Sequence, residues 1–557
     1  MKKIFFLLLL ALGNLLHIWF FWLNEVMKIA DSFAYLQMAH HLKNFSIEWL
    51  GNGWFGFLYS LPIAFVSAFI ENDMTTSFVV NMILFNIFIG ISYIFGRNYL
   101  QEKYLVAFLW LLFLSPILLH YNIHILSENI YIPLFFILFI GVLQYQKIPT
   151  FGNMLFLGIM IWFLYLTRAE AFIYIGSIGL VLWFLWIRKE IWFAKMWGHF
   201  LVAVVWFFLI AFPYMAYMNS FTWEWWLTNK GSSNLRQAQL RGVNKMDDDG
   251  FEQAVGELRS DNLWLIAGFA WGLKYEKPEE WESFKNYILE NPSQVLERIG
   301  ENQVKLYTQN LPHIILWNAQ KLYSLEWSNL FYKNPLFWIL LLLPLGMIFW
   351  GIIALIKNGE WFMVAVFASF FFVASFFFTL FFVLDRYFVI FVPFFLFFFV
   401  YWLQSWQIKN TFWEWGKYII FSGIYASILA LGLLSYYNTF AWEDAKYEVK
   451  KEAWEYLSQY HFSGENLRIL ERFPVVTYYS GTKERWLTPY TDKLENLITY
   501  ARHHSIDYLV VDSVDFATYR KDLDFLLYFA DEKYPWLKKF KEFEKNWQKV
   551  IVYKIEK

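Results

Sequence analysis

Charged residues rarely interrupt the apolar runs of this sequence, and those that could do chemistry stand at four places. Asp31 and Tyr35 lie in Ala30-Asp31-Ser32-Phe33-Ala34-Tyr35, one turn apart on one face if the stretch is helical. Glu128 lies in Leu126-Ser127-Glu128-Asn129, Arg168 and Glu170 in Thr167-Arg168-Ala169-Glu170, and Asp385, Arg386 and Tyr387 in Leu384-Asp385-Arg386-Tyr387. Charged groups at membrane depth are costly and mark functional sites by default. Each also has a plain structural role available. Asp31 and Glu128 suit helix starts, Arg168 can pair with Glu170 or snorkel, and Asp385 with Arg386 makes an ordinary interfacial pair. What favours function is the convergence of four separate segments on one level, and that depends on the elements that carry them.

Of the 557 residues, 58% are apolar and only 17% are Asp, Glu, Lys or Arg, against about 25% charged in soluble domains. Several apolar runs exceed the roughly 18 residues that mark a membrane helix, so the chain reads as a polytopic α-helical membrane protein. The net charge of −1 gives no ground for a nucleic-acid partner. The absence of cysteine excludes disulfides, thiolate chemistry and cysteine-ligated metals. Met1-Lys2-Lys3 followed by Ile4 to Leu23 has a signal-peptide look, but the apolar stretch is too long and no A-x-A site follows, so it reads as a retained first helix with its N-terminus in the cytoplasm.

Candidate crossings lie at 4–23, 75–96, 104–120, 127–145, 152–167, 170–187, 195–217, 335–356, 360–383, 387–405 and 416–437. The run Trp54–Ile70 is shorter and broken by Pro62. Short basic connections at Arg97/Lys103, Gln146-Lys147, Arg188-Lys189/Lys195, Lys357 and Lys409/Lys417 belong in the cytoplasm. They share one side only if Trp54–Ile70 does not change sides or has an undetected partner crossing, which gives about 11 to 13 crossings. The first loop (24–53), the segment 219–334 and the C-terminal region then face outward, level with Glu128, Arg168 and Arg386.

Residues 1–441 read as a transmembrane module and 442–557 as a small extracytoplasmic α/β domain. The long loop opens on the interfacial cluster Trp223-Glu224-Trp225-Trp226. Its Asp247-Asp248-Asp249 run lacks calcium-loop spacing and reads as a solvated turn. Pro278–Glu290 and Pro292–Leu311 follow as amphipathic helices, and loops of this length tend to be lids or binding loops. In the tail, 467–470, 507–512 and 549–553 read as strands, with helices at Pro474–Tyr479 and Asp492–His504. No phosphate-binding glycine motif occurs there.

Taken together, an Asp-x-x-x-Tyr-x-x-x-Ala element at Asp31, Ser127-Glu128, Thr167-Arg168-Ala169-Glu170, Arg386-Tyr387 before a Pro-containing helix, and the tail runs Tyr478-Tyr479-Ser480-Gly481 and Asp507–Asp512 resemble GT-C glycosyltransferases. Within that superfamily the chain is most similar to bacterial relatives of protein O-mannosyltransferases and of the lipid A aminoarabinose transferase. The resemblance covers the whole architecture through short motifs whose order and sidedness carry it. One departure stands out: many members have an Asp-Glu pair in the first loop, whereas Ser32 follows Asp31, so Glu48, Glu71 or Glu128 would have to supply a second carboxylate.

The resemblance implies an enzyme of the cell envelope, in the cytoplasmic (inner) membrane, that takes a sugar from a polyprenyl phosphate to a protein, lipid or glycan acceptor on the outer face, with inversion. It implies Asp31 as the base, with Glu128 as the second catalytic carboxylate. Arg168 and Arg386, with Tyr387, would hold the departing phosphate; Tyr35, Glu170 and Asp385 would complete the substrate site. The Phe-rich helices of 362–399 offer either a groove for the lipid tail or plain packing. Asp31 with His40 or His41 offers a divalent-cation site, but the histidines read more simply as interfacial or capping residues and no metal is assigned. A transporter or flippase of lipid-linked glycans is the main alternative, disfavoured because no internal repeat or midplane charge is seen. An O-antigen ligase or polymerase would place its catalytic residues mainly in one long outer loop.

Overall fold

A computed structural model describes residues 3–24, 30–45, 56–222, 292–311, 314, 335–381, 385–406, 449–459, 467–471, 476, 485–487, 494–503, 505–513, 525–528, 534, 536–545 and 548–556. The chain divides into two compact units. The first comprises Met1–Met27, Phe55–Pro213 and Leu296–Asn438; the second comprises Lys28–Trp54, Tyr214–Val295 and Thr439–Lys557.

The first unit is a helical bundle. Its elements are α1 (Lys3–Asn24), then α3 (Ser60–Val66), α4 (Asp73–Gly96), α5 (Glu102–Leu114), α6 (Pro116–Ile123), α7 (Glu128–Lys147), α8 (Phe151–Thr167), α9 (Tyr174–Ile187) and α10 (Phe193–Thr222), which leaves this unit after Pro213. After α11 (Pro292–Lys305), which enters this unit at Leu296, come α12 (Pro335–Lys357), α13 (Trp361–Phe381), the single turn α14 (Asp385–Phe388) and α15 (Val392–Ser405). The helix α2 (Ala30–Lys43) belongs to the second unit. Among the described residues six helices are long and apolar enough to cross a membrane, or seven when α5 and α6 are taken as one bent span. This is a multi-pass membrane protein. Helices occupy each apolar run read from the sequence except 416–437, which lies outside the described residues.

Local chemistry sets the helix ends. Asn72 caps α4 by accepting the N–H groups of Met74 and Thr75, both at 3.0 Å. The α5–α6 span bends by 49° where Pro116 follows Ser115, because proline has no N–H to continue the preceding helix. The seven-residue α3 extends about 10 Å, far less than the roughly 30 Å hydrocarbon core. By itself α3 is too short to cross.

Much of the phenylalanine excess fills the interior between α7, α13 and α15. Phe135, Phe139, Phe370, Phe391, Phe394 and Phe398 are buried, with rings in contact such as Phe139–Phe394 at 4.3 Å and Phe367–Phe398 at 4.9 Å. Phe372 and Phe376 of the same segment point outward. Gly351 lets α12 approach α15 closely, since a Cβ there would stand 2.0 Å from the Phe398 carbonyl oxygen.

In the second unit, a five-stranded sheet has the order β2-β1-β3-β5-β4, with β1 Ile469–Glu471, β2 Arg485–Leu487, β3 Tyr508–Asp512, β4 Leu537–Lys545 and β5 Gln548–Ile555. The strands β2, β1 and β3 run parallel, and β5 pairs antiparallel with both β3 and β4. Parallel neighbours need crossovers, here including α17 (Leu494–His503); a further helix, α16, covers 449–459. The helix read at Pro474–Tyr479 lies outside the described residues apart from 476. Burial of Leu470, Leu497, Leu509 and Ile551 on one side of the sheet, and of Val449, Ile469, Val510 and Val552 on the other, gives it two apolar faces. Lys450 and Asp512, 3.2 Å apart, are buried as a pair. The outermost strand β4 is studded with Lys and Glu, which blunts an open sheet edge.

Candidate functional site

Three of the four segments singled out in the sequence meet at one end of the bundle. Glu128 begins α7, Arg168 follows the last residue of α8, and Arg386 stands in the turn α14 that leads into α15. Glu128 is fully buried and its Oε1 bridges both arginines: Arg168 Nη1 donates to it, and so does Arg386 Nε at 2.8 Å. Arg168 also donates through Nε to Glu170 Oε1 at 2.8 Å, with Nη2 2.6 Å from the same oxygen. Its guanidinium lies over the rings of Tyr131 and Tyr387, at 5.7 and 5.2 Å, a placement that adds cation–π attraction. The Tyr387 ring is stacked on Phe378 at 4.2 Å.

The two arginines differ in what they can still do. Arg168 is 5% exposed and held between two carboxylates, whereas Arg386 is 22% exposed. Two guanidinium groups against Glu128 and Glu170 make a charge-balanced cluster that keeps an arginine accessible without leaving a buried charge uncompensated. A planar guanidinium held by its Nε suits bidentate recognition of phosphate oxygens.

The turn that holds Arg168 is braced by backbone. Leu58 N–H donates to the Leu166 carbonyl at 3.1 Å, and Gly56 lies so near that a Cβ on it would stand 2.2 Å from that oxygen. Gly56→Ala is therefore expected to cost about 1–3 kcal/mol through overpacking. Thermal unfolding in detergent checks this against Gly90→Ala in α4, where nothing lies within 4 Å of the added methyl; equal melting temperatures would contradict it.

The approach to Glu128 is fixed by a buried polar network that sequence reading did not single out. Tyr59 donates to Asn81 Oδ1 at 2.6 Å, and Asn81 Nδ2 donates to the carbonyls of Asn122 and His124 at 2.8 and 3.0 Å. Asn129 Nδ2 donates to the His124 carbonyl at 2.9 Å, and Asn122 Nδ2 lies 2.6 Å from His17 Nδ1. The network thereby satisfies carbonyls freed where α6 ends before α7. The available signal was a set of amides and histidines inside otherwise apolar runs. Tyr131 was legible too, one turn after Glu128 on the same face.

Asp31 stands in the first turn of α2, in the second unit, and its side chain lies outside the described residues. Tyr35, one turn on, and Ser32 are buried. The Asp385 side chain and Glu48 also lie outside the described residues, as do Trp223–Trp226, Asp247–Asp249 and Pro278–Glu290. Glu71 is exposed just before the α4 cap. His40 is exposed and accepts from Asn44 Nδ2 at 3.2 Å. Among the described residues, no three His, Asp or Glu side chains are grouped to hold a metal ion.

The fold and this cluster define a polytopic helical membrane protein with an arginine–carboxylate centre at one end of its bundle and a small C-terminal α/β domain. No family model and no curated protein matches the sequence. Among solved structures, the chain is similar to the oligosaccharyltransferase AglB of Archaeoglobus fulgidus in complex with an inhibitory peptide and a dolichol-phosphate (11% identity, 92% of this chain and 70% of that one, TM-score 0.47). It is similar to the same archaeon's oligosaccharyltransferase in complex with Zn and sulfate (12%, 90% and 68%, 0.48). It is also similar to ArnT of Cupriavidus metallidurans bound to undecaprenyl phosphate (10%, 99% and 98%, 0.46). At such identities and TM-scores, function has to be read from this chain's own residues.

Proposed function

We propose that this protein is a GT-C-type glycosyltransferase that moves a sugar from a polyprenyl phosphate to an acceptor at the outer face of the cytoplasmic membrane. The observation that carries this reading is the Glu128 carboxylate bridging Arg168 and a partly exposed Arg386 at one end of a membrane bundle. A transfer of this kind displaces a lipid phosphate, and fixed positive charge stabilises that leaving group. Arg386, with Tyr387 beside it, is the phosphate ligand. Arg168 is its buried support, and Glu170 secures Arg168.

The reaction is a single displacement. An acceptor hydroxyl oxygen bonds to the anomeric carbon, the bond from that carbon to the phosphate oxygen breaks, and the lipid phosphate leaves with the electron pair. The configuration inverts. Asp31 takes the hydroxyl proton as general base, and Tyr35 contributes to the substrate site one turn along α2. The acceptor is a protein, a lipid or a glycan. Glu128 acts in this scheme by orienting two arginines, which its complete burial favours over proton transfer. The charges gather at helix ends rather than at the bilayer midplane, which favours transfer chemistry over transport.

Arg386→Ala is expected to weaken donor binding by about 10-fold or more, the 1.5–3 kcal/mol of a hydrogen bond to a charged group. Titration of the purified protein with a polyprenyl-phosphate sugar checks it. Unchanged affinity would remove Arg386 from the phosphate site.

A further inference from the structure

The amphipathic helix α11 and the π-turn after it, Leu306–Asn310, carry three distinct edges. At 100° per residue, Val295, Arg298, Asn302 and Leu306 share one side; Val295, Arg298 and Leu306 are buried and Asn302 is partly so. A second edge runs through Leu296, Gly300, Val304 and Tyr307, within roughly 80° of arc. Leu296 is 69% exposed, Val304 62% and Tyr307 52%, and Gly300 between them has open space where a Cβ would sit. The third edge carries Glu297, Glu301 and Lys305, all exposed.

The seat of α11 shows what meets the apolar edge. Asn302 Nδ2 donates to the Thr379 carbonyl at 2.9 Å, and Gln303 Nε2 to Thr379 Oγ1 at 3.1 Å. Thr379 lies in one row of α13 with Phe372 and Phe376, spaced as helical neighbours. Those two phenylalanines are exposed and stacked on each other on the surface of a membrane-spanning helix, so the row faces lipid hydrocarbon. The row turns polar at Thr379, near the end of α13, and there α11 lies across it. A helix seated through Asn302 and Gln303 on the buried Thr379 where a lipid-facing row ends, with an exposed apolar edge flanked by a charged one, is the arrangement of a helix lying in the plane of a membrane interface.

We propose that α11 is a membrane-interface helix, with Leu296, Val304 and Tyr307 inserted among lipid chains and Glu297, Glu301 and Lys305 in the headgroup layer and water. Its hydrogen bonds to Thr379 tie this insertion to the segment that leads into Arg386. The occupant of the apolar edge is the bilayer itself, and the inference is independent of the reaction proposed above.

Because the chain has no cysteine, single-cysteine variants can be labelled uniquely. L296C, V304C and E301C would each carry an environment-sensitive nitrobenzoxadiazole in full-length protein, reconstituted into phosphatidylcholine–phosphatidylglycerol vesicles. Monodisperse elution before reconstitution checks folding, and V304C stands in if L296C fails it. The expected result is blue-shifted emission at 296 and 304, quenched several-fold more by lipids with a nitroxide high on the acyl chain than emission at 301, which aqueous iodide quenches instead. Iodide quenching at 296 or 304 equal to that at 301 would overturn the proposal. So would shielding of 296 and 304 from both quenchers, which would mean that protein covers this edge.

Discussion

Replacing Asp31 by Asn is expected to lower sugar transfer by about 10²–10⁴-fold, the usual worth of a general base, while expression and melting temperature stay at the wild-type level. The substitution keeps the size of the side chain at its place in the first turn of α2; what it removes is the charge, and with it the ability to take the acceptor's proton. Single-turnover assays with a polyprenyl-phosphate sugar separate the two roles. A base variant binds donor normally and stalls at the chemical step, whereas loss of a mere charge interaction with the N-terminus of α2 would show as about 0.3–1 kcal/mol of stability with turnover retained. Normal turnover by Asp31→Asn with the true donor would remove Asp31 as the base.

Glu128→Gln is expected to have the second large effect, and of a different kind. One carboxylate oxygen receives both Arg168 and Arg386 in a fully buried position. The neutral amide leaves Glu170 as the remaining carboxylate partner that the described residues give Arg168. Breaking a buried pair on one side typically costs about 3–5 kcal/mol, so the melting temperature should fall, and donor affinity should fall with it as Arg386 loses its anchor. The paired readout discriminates between roles. If Glu128 served instead as a proton-transfer group, Glu128→Gln would stall transfer with donor affinity unchanged.

Most of the helical architecture was legible because membrane helices announce themselves as long apolar runs. The exception in kind was the segment 54–70, whose length and Pro62 gave two readings; the helix it holds, α3, is seven residues long. In the tail, β1, β3 and β5 follow short apolar runs. The strand β4 was not legible, because Leu-Lys-Lys-Phe-Lys-Glu-Phe-Glu-Lys reads as a solvated charge run and becomes a strand through its pairing with β5. The triplet β2 is too short to carry a pattern. Among the site residues, Glu128, Arg168 and Arg386 were each legible as charges interrupting apolar sequence. Their sharing of a single carboxylate oxygen was not, because Glu128 and Arg386 are 258 positions apart and no local rule pairs them. The close approach of Gly56 to Leu166 and the bracing of residues 122–124 by Asn81 were likewise invisible, since both are defined by packing between distant segments. The phenylalanines of 362–399 could be read as groove or as filling; the buried rings of Phe370, Phe391, Phe394 and Phe398 are filling.

The most direct test of the account is to incubate the purified full-length protein with a panel of polyprenyl-phosphate sugars and acceptor extracts and to follow free lipid phosphate. The account predicts release from at least one donor, matched by sugar on an acceptor, inverted at the anomeric carbon, and lost together with donor affinity in Arg386→Ala. Folded protein that cleaves no donor in the panel, or that moves the intact lipid-linked sugar across the bilayer without releasing phosphate, would contradict it.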